Sequence, residues 1–151
     1  GAQAKWNNGL GARITYAYTK EQLAKDKDGN SINNQYIPAR EHALNVRMDY
    51  DRQISSNYGL NIGLQGRVLS GVENVEYKDY YDVSKGTISV EYPAYTLWKL
   101  SLVQRIGKAV KVNAALDNLF GYKPKFYYLN SPITDGVTFQ IGVSIDIDKF
   151  F

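Results

Sequence analysis

The chain has 151 residues, and its 18 basic and 15 acidic residues give it a formal net charge of +3. These charges are spread along the chain, which argues against a nucleic-acid surface, because such a surface needs clustered Lys and Arg. The lack of cysteine and the single histidine exclude disulfide frameworks, thiolate zinc sites and His-rich metal sites. No apolar run approaches about 18 residues, which excludes a transmembrane helix but not a membrane β-barrel.

Six segments alternate apolar and polar side chains with a period of two, the pattern of a β-strand with one apolar face. In chain order they are 10–19, 41–51, 57–68, 98–106, 110–117 and 137–148. The last is the most regular, because apolar residues occupy every odd position from Val137 to Ile147 and polar residues or glycine lie between them. The sequence therefore predicts an all-β chain of about six strands.

Strand length and loop length together favour a membrane barrel. The runs cover about 10 residues, the span of a tilted membrane strand, whereas soluble strands are commonly about five or six residues long. The connections alternate in length: 20–40, 70–93 and 120–135 are long, whereas the turns at 53–56 and 107–108 are short. Short periplasmic turns and long outer loops are typical of transmembrane barrels. We predict antiparallel, up-and-down transmembrane strands, with Gly1 and Phe151 both on the periplasmic side.

The alternation also assigns an environment to each strand face. We expect the apolar face to contact outer-membrane lipid, with representative positions Leu44, Leu64, Leu102 and Ile145. The polar face is expected to line the lumen, with representative positions Arg47, Gln65, Lys111 and Asp146. An extended last strand would place Asp148 beside Asp146 on this lumen face.

Two stretches near the C-terminus resemble a known family. Tyr92–Leu100 reads YPAYTLWKL, and Asn113–Tyr122 reads NAALDNLFGY with an Asp-Asn-Leu-Phe core. Both are similar to the closing strands of TonB-dependent receptors. The final alternating strand, which ends in Phe151, resembles the C-terminal signal that the outer-membrane barrel assembly machinery reads. The resemblance covers residues 92–151 by motif, and the earlier strands by pattern only.

The resemblance implies a fold and a function. Members have a 22-stranded barrel in the outer membrane of Gram-negative cells, plugged by an N-terminal domain. They import a scarce nutrient, such as a ferric chelate (siderophore), haem or cobalamin, with energy passed through TonB. Residues 1–151 would then be a C-terminal barrel segment without the plug. The implied partners are outer-membrane lipid, the remaining barrel and plug, TonB through that plug, the assembly machinery and a small-molecule cargo. Neither nucleic acid nor a cofactor is expected.

Tyrosine-rich long loops are the candidate ligand site. The rings expected to meet cargo are those of Tyr80, Tyr81, Phe126, Tyr127 and Tyr128, although the same rings could instead pack the loops internally. We expect no enzyme, because no catalytic arrangement of side chains is evident. We expect no metal site either: Asp26, Asp28 and Asn30 resemble a calcium loop, but Ile37 stands where the bidentate glutamate is needed. His42 lies on the apolar face of its strand, at the loop end, where we expect an interface residue rather than a haem ligand.

Two alternative architectures stay open at this point. Residues 75–92 could form a hairpin around Ser84-Lys85-Gly86, and counting it as two crossings would give a complete eight-stranded barrel. We favour a hairpin standing above the membrane, because 75–81 makes no apolar stripe and Asp79 would face lipid. A soluble β-sandwich binding module is the third interpretation.

Overall fold

A computed structural model describes residues 1–20, 27, 39–79, 81–123 and 136–149 of the chain. Nine strands form within these ranges: β1 (Ala2–Lys5), β2 (Leu10–Tyr18), β3 (His42–Ser55), β4 (Tyr58–Leu69), β5 (Val72–Tyr77), β6 (Thr87–Tyr92), β7 (Tyr95–Ile106), β8 (Val110–Asp117) and β9 (Thr138–Ile145). Two short 3₁₀ helices, Val83–Lys85 and Ile147–Lys149, are the helical elements of the described part. Across these residues, no helix is long and apolar enough to span a membrane.

Seven strands form one sheet in the order β1-β2-β3-β4-β7-β8-β9, and β5 pairs with β6 in a separate two-stranded sheet. The six predicted strands correspond to β2, β3, β4, β7, β8 and β9, so the all-β, antiparallel, up-and-down prediction is confirmed. β1 and β9 are the two edge strands, and the sheet is not closed in the described part of the chain. An eight-stranded barrel would need β5 and β6 in the main sheet, so that interpretation is wrong for these residues.

Short turns produce the antiparallel pairing at one end of the sheet. Ser56-Asn57 joins β3 to β4, and residues 107–109 join β7 to β8. Gly107 has φ 61°, a left-handed conformation that a residue with a Cβ adopts only under strain, and its N–H donates to the Asn57 carbonyl at 2.7 Å. The predicted short turns are therefore confirmed. The long connection 70–93 contains β5 and β6, whereas most of 20–40 and 120–135 lies outside the described residues.

The pairing register keeps apolar and polar side chains on opposite faces. Leu102 lies opposite Ala114, which in turn lies opposite Ile141; one position along, Asn113 lies between Val103 and Gly142. The apolar face is uncovered, since Ile141 is 67% exposed. Among the described residues the buried apolar side chains are those of Leu69 and Tyr92 alone. A soluble β-sandwich would bury this face against a second sheet, so the sandwich interpretation does not fit the described residues.

The chain divides into two compact units. The first comprises 1–15, 44–67 and 96–151, and within its described residues it contains β1, β8 and β9 together with most of β2, β3, β4 and β7. The second comprises 16–43 and 68–95 and contains the β5–β6 hairpin. In that hairpin Glu76 lies opposite Ile88 on one face and Glu73 opposite Glu91 on the other, so neither face of the hairpin is uniformly apolar.

Two details of the predicted topology are wrong. β1 was not predicted, and it pairs antiparallel with β2 so that Gly1 lies beside Ile14 and Thr15 rather than at the short-turn end. The last strand stops at Ile145, and Asp148 lies in a 3₁₀ helix rather than on a strand face beside Asp146. The predicted position of Phe151 lies outside the described residues.

A glycine and a tryptophan fix the packing of β4 against β7. A Cβ on Gly66 would lie 2.6 Å from ring carbons of Trp98, so the indole lies directly over the glycine. The Phe120 ring meets the same indole edge-on, with 6.2 Å between ring centroids. An aromatic ring that covers a strand glycine compensates for the packing that the missing side chain would provide.

We expect Gly66→Ala to displace the Trp98 ring and to lower the free energy of unfolding by about 1–3 kcal/mol. Gly142 on β9 is the matched control, because a Cβ there meets no atom within 4 Å. Gly142→Ala should leave stability unchanged or slightly higher. The measurement is urea unfolding of the natural-length protein in lipid vesicles, followed by circular dichroism. Equal losses at the two positions would contradict the packing of Trp98 over Gly66.

Candidate functional site

Charged side chains on the polar face pair across strands. Arg105 on β7 reaches Asp51 on β3, with 2.7 Å between Nη2 and Oδ1, although β4 lies between these two strands. The reach is possible because Gly59 stands at the crossing: a Cβ there would lie 2.7 Å from the Arg105 Nε. The ion pair therefore depends on the missing side chain at position 59.

The same device recurs on this face. The Asp49 carboxylate lies over Gly11, where a Cβ would be 2.8 Å from Oδ2. Ser101 lies over Gly63 and donates its hydroxyl to the Gly63 carbonyl at 3.2 Å. Lys99 and Asp117 join β7 to β8 with a 3.0 Å ion pair. Polar side chains thus lie flat along the sheet and bond to neighbouring strands.

A concavity of about 520 Å³ opens beside this network. Its polar lining includes Asn45, Gln65, Arg67, Lys99, Asp117 and Gln140. Side-chain amides offer both donors and acceptors, while Arg67 and Lys99 add positive charge. The surface can therefore make hydrogen bonds to a polar partner, as expected for a wall that faces water or another protein segment.

The Asp-Asn-Leu-Phe segment forms the turn that follows β8. Asn118 has φ 52°, a conformation that Asn tolerates better than most residues, and its side chain is buried. The Asn118 Nδ2 donates to the carbonyls of Tyr122 at 2.7 Å and Gly136 at 3.0 Å, and Oδ1 accepts from the Tyr122 N–H at 2.8 Å. One side chain thus binds both ends of the 123–135 connection.

The neighbours of Asn118 complete this turn. The Leu119 N–H donates to the Trp98 carbonyl at 2.8 Å, and Phe120 packs on the Trp98 ring. Asp117 is the partner of Lys99. Three side chains of the motif, those of Asp117, Asn118 and Phe120, therefore make structural contacts, and Leu119 contributes its backbone N–H.

The predicted ligand-site residues are only partly described. Tyr81 lies in the β5–β6 connection, where its side chain is fully exposed and its N–H donates to the Asp79 Oδ1 at 2.9 Å. The hydrogen bond from Lys85, at 2.6 Å, holds the pKa of Asp79 below its ordinary value. The other four rings, Tyr80, Phe126, Tyr127 and Tyr128, lie outside the described residues, as does the predicted assembly signal at Phe151.

Two residues of the second unit gain partners that the sequence does not reveal. The His42 Nδ1 lies 2.7 Å from the Tyr16 hydroxyl, and the His42 ring is 5.2 Å from the ring of Tyr18. Arg40 donates to the carbonyls of Ser70 and Pro93. Arg40 was missed because a lone arginine before a strand forms no motif. The described ranges hold no group of three or more His, Asp or Glu side chains that could bind a metal ion.

We expect Asn118→Gly to destabilise the turn by about 1–3 kcal/mol, because it leaves buried backbone groups without their partner. Asn118→Asp is the matched variant, since it keeps the acceptor for the Tyr122 N–H but loses the amide donor. Hydrogen exchange at the Tyr122 amide should accelerate about tenfold or more in the glycine variant and less in the aspartate variant. Identical exchange rates in the two variants would contradict the role given to the side chain.

The comparison with known proteins agrees with this architecture. A family model described as TonB dependent receptor-like, beta-barrel matches residues 1–119, which include β1 to β8 and the Asp117-Asn118-Leu119 turn. No curated protein and no solved structure is detectably similar to the chain. The family comprises transporters and receptors of the outer membrane rather than typical enzymes. The match covers most of the chain, and the chain therefore belongs to the TonB-dependent receptor-like β-barrel family.

Proposed function

We propose that this chain is the C-terminal wall segment of a TonB-dependent importer of the Gram-negative outer membrane, where it forms part of a 22-stranded barrel and of its extracellular loops. The observation that carries the proposal is the uncovered apolar face of the antiparallel sheet. Combined with the family match over residues 1–119, this face favours a strand wall between lipid and lumen. The cargo class is a scarce nutrient: a ferric chelate, haem or cobalamin.

The apolar face supports contact with lipid. Its large side chains on β9 are more than half exposed, and they are Phe139, Ile141, Val143 and Ile145. Exposed apolar area in water costs about 25 cal/mol per Å², whereas the hydrocarbon of a bilayer removes that cost. A lipid environment therefore suits this face better than water does.

The opposite face supports contact with the lumen and its plug domain. The Asp51–Arg105 and Lys99–Asp117 pairs lie on it, and charges of this kind are costly against hydrocarbon. Within the described residues β1 and β9 lie at the two ends of the sheet, which fits pairing of each with a further strand of the remaining barrel. TonB would act through the plug, outside this chain, and the assembly machinery would act on the nascent barrel.

The outer loops are the proposed cargo contact. Tyr81 offers a fully exposed ring. The other proposed contacts are aromatic residues of the same two loops: Tyr80, Phe126, Tyr127 and Tyr128. Such rings can bury the apolar part of a chelate or a macrocycle while their hydroxyls bond its rim. Lys123, which is exposed, adds a modest attraction for carboxylates.

We expect Leu102→Arg to destabilise the barrel by about 2–4 kcal/mol if the residue lies near the bilayer midplane. Val103→Arg is the matched control, because it places the same charge one position along, on the polar face. Val103→Arg and Lys111→Ala should both be mild. Unfolding in lipid vesicles measures all three variants. Equal losses for the two arginine variants would contradict the assignment of faces.

We expect the triple change of Phe126, Tyr127 and Tyr128 to Ala to weaken cargo binding by a few-fold to about a hundredfold, the range for losing about 1–3 kcal/mol. Binding is measured on the full-length receptor with a ferric siderophore, haem and cobalamin in turn. Trp6→Ala is the control, since Trp6 is an exposed aromatic residue in the β1–β2 turn. Surface expression should persist in both. Unchanged affinity in the triple variant would assign the three rings to loop packing.

A further inference from the structure

The β5–β6 hairpin is attached through two breaks in the strand ladder. β4 ends at Leu69 and β5 begins at Val72, while β6 ends at Tyr92 and β7 begins at Tyr95. One break contains Gly71, which approaches the other leg so closely that a Cβ would lie 3.3 Å from the Tyr92 carbonyl oxygen. The other contains Pro93, which has no N–H to donate to a ladder. Each break therefore separates the hairpin from the strand of the main sheet that precedes or follows it, while the pair Val72 and Tyr92 joins the two legs.

One side chain contacts both breaks. The Arg40 Nη1 donates to the Ser70 carbonyl beside the first break and, at 2.9 Å, to the Pro93 carbonyl in the second. The guanidinium carbon lies 4.7 Å from the centroid of the Tyr95 ring, within the range of a cation–π contact. Hydrogen bonds from a charged donor are stronger than neutral ones, so this arginine is well suited to hold two chain segments together.

The first leg also bonds to the start of β3. The Ser70 N–H donates to the His42 carbonyl at 3.0 Å, and the His42 N–H donates to the Ser70 hydroxyl at 3.2 Å. In the second leg Pro93 has no N–H, and its carbonyl accepts from Arg40. Arg40 therefore contacts both the leg that is bonded to His42 and the leg that contains Pro93.

We propose that Arg40 is a positioning residue that fixes the base of the β5–β6 hairpin and so determines the position of the hairpin. We call its contacts with Ser70, Pro93 and Tyr95 the latch. The inference deepens the proposed function, and it rests on that function in one respect: the hairpin carries Tyr80 and Tyr81, two of the proposed cargo contacts. Without the latch the hairpin hinges at Gly71 and Pro93. The hairpin keeps its own pairing, in which Val72 lies opposite Tyr92.

The test is pulsed electron paramagnetic resonance on the full-length receptor in lipid nanodiscs. Spin labels go on cysteines introduced at the exposed positions Thr19 and Lys78, since this chain has no cysteine of its own. With Arg40 present we expect one narrow distance distribution. Arg40→Gln should broaden or split it, and Arg40→Lys should fall between the two because it keeps the charge but not the planar fork. Arg13→Gln, the loss of an exposed arginine on β2, is the matched control.

A second readout follows the Ser70 amide, whose hydrogen exchange should be about tenfold faster in Arg40→Gln than in Arg13→Gln. The heat-induced gel shift of a folded barrel verifies that each variant is folded. Tyr95→Leu is a second variant, which removes the aromatic contact to Arg40 but keeps the charge of the arginine. An unchanged distance distribution and an unchanged Ser70 exchange rate in folded Arg40→Gln would overturn the proposal.

These readouts need no cargo, so they separate the latch from the proposed function. Binding of a ferric siderophore, haem and cobalamin is measured on the same variants. A changed distance distribution with unchanged binding of the probe that the receptor recognises would support the latch and count against the cargo role of the hairpin. A weakened affinity in Arg40→Gln, partly restored in Arg40→Lys, supports both.

Discussion

The described contacts on the polar face depend on one constraint: the polar side chains of the sheet bond sideways, to side chains and backbone groups of other strands in the same sheet. Side chains that lie flat need space on the neighbouring strand, and glycine provides it. Arg105 crosses Gly59 to reach Asp51, and Ser101 bonds across to Gly63. Gly59 and Gly63 are therefore not weak points of the sheet, because side chains join neighbouring strands across them.

The opposite face follows the same geometry with different chemistry. Trp98 lies over Gly66 and meets Phe120 at its edge, so an aromatic pair replaces the ion pair. Because the register keeps the two sets of side chains apart, each face can suit a different environment. This separation agrees with the family assignment, because the wall of a transport barrel has lipid on one side and an aqueous passage on the other.

The sequence was sufficient to predict the long strands, because their alternation continues over many residues and is interrupted by recognisable turns. It was not sufficient for β1, whose four residues carry too little alternation to be noticed, nor for the end of β9, where apolar residues continue beyond the last paired position. Partners such as Asp51 and Arg105 are 54 positions apart, and only the register of three strands brings them together. The Asp-Asn-Leu-Phe motif was recognised by resemblance, whereas its hydrogen bonds required the fold.

The turn after β8 has a consequence for how such proteins diversify. Asn118 binds the Tyr122 backbone and the Gly136 carbonyl at the same time, so both ends of the intervening connection are anchored to one buried side chain. The entropic cost of closing a loop rises only slowly with the length of the loop. Here the two ends of the loop are held by Asn118, which lies outside it. Residues 123–135 can therefore be lengthened, shortened or exchanged while β8 and β9 keep their register. A barrel built this way can acquire a new outer surface without redesigning its wall.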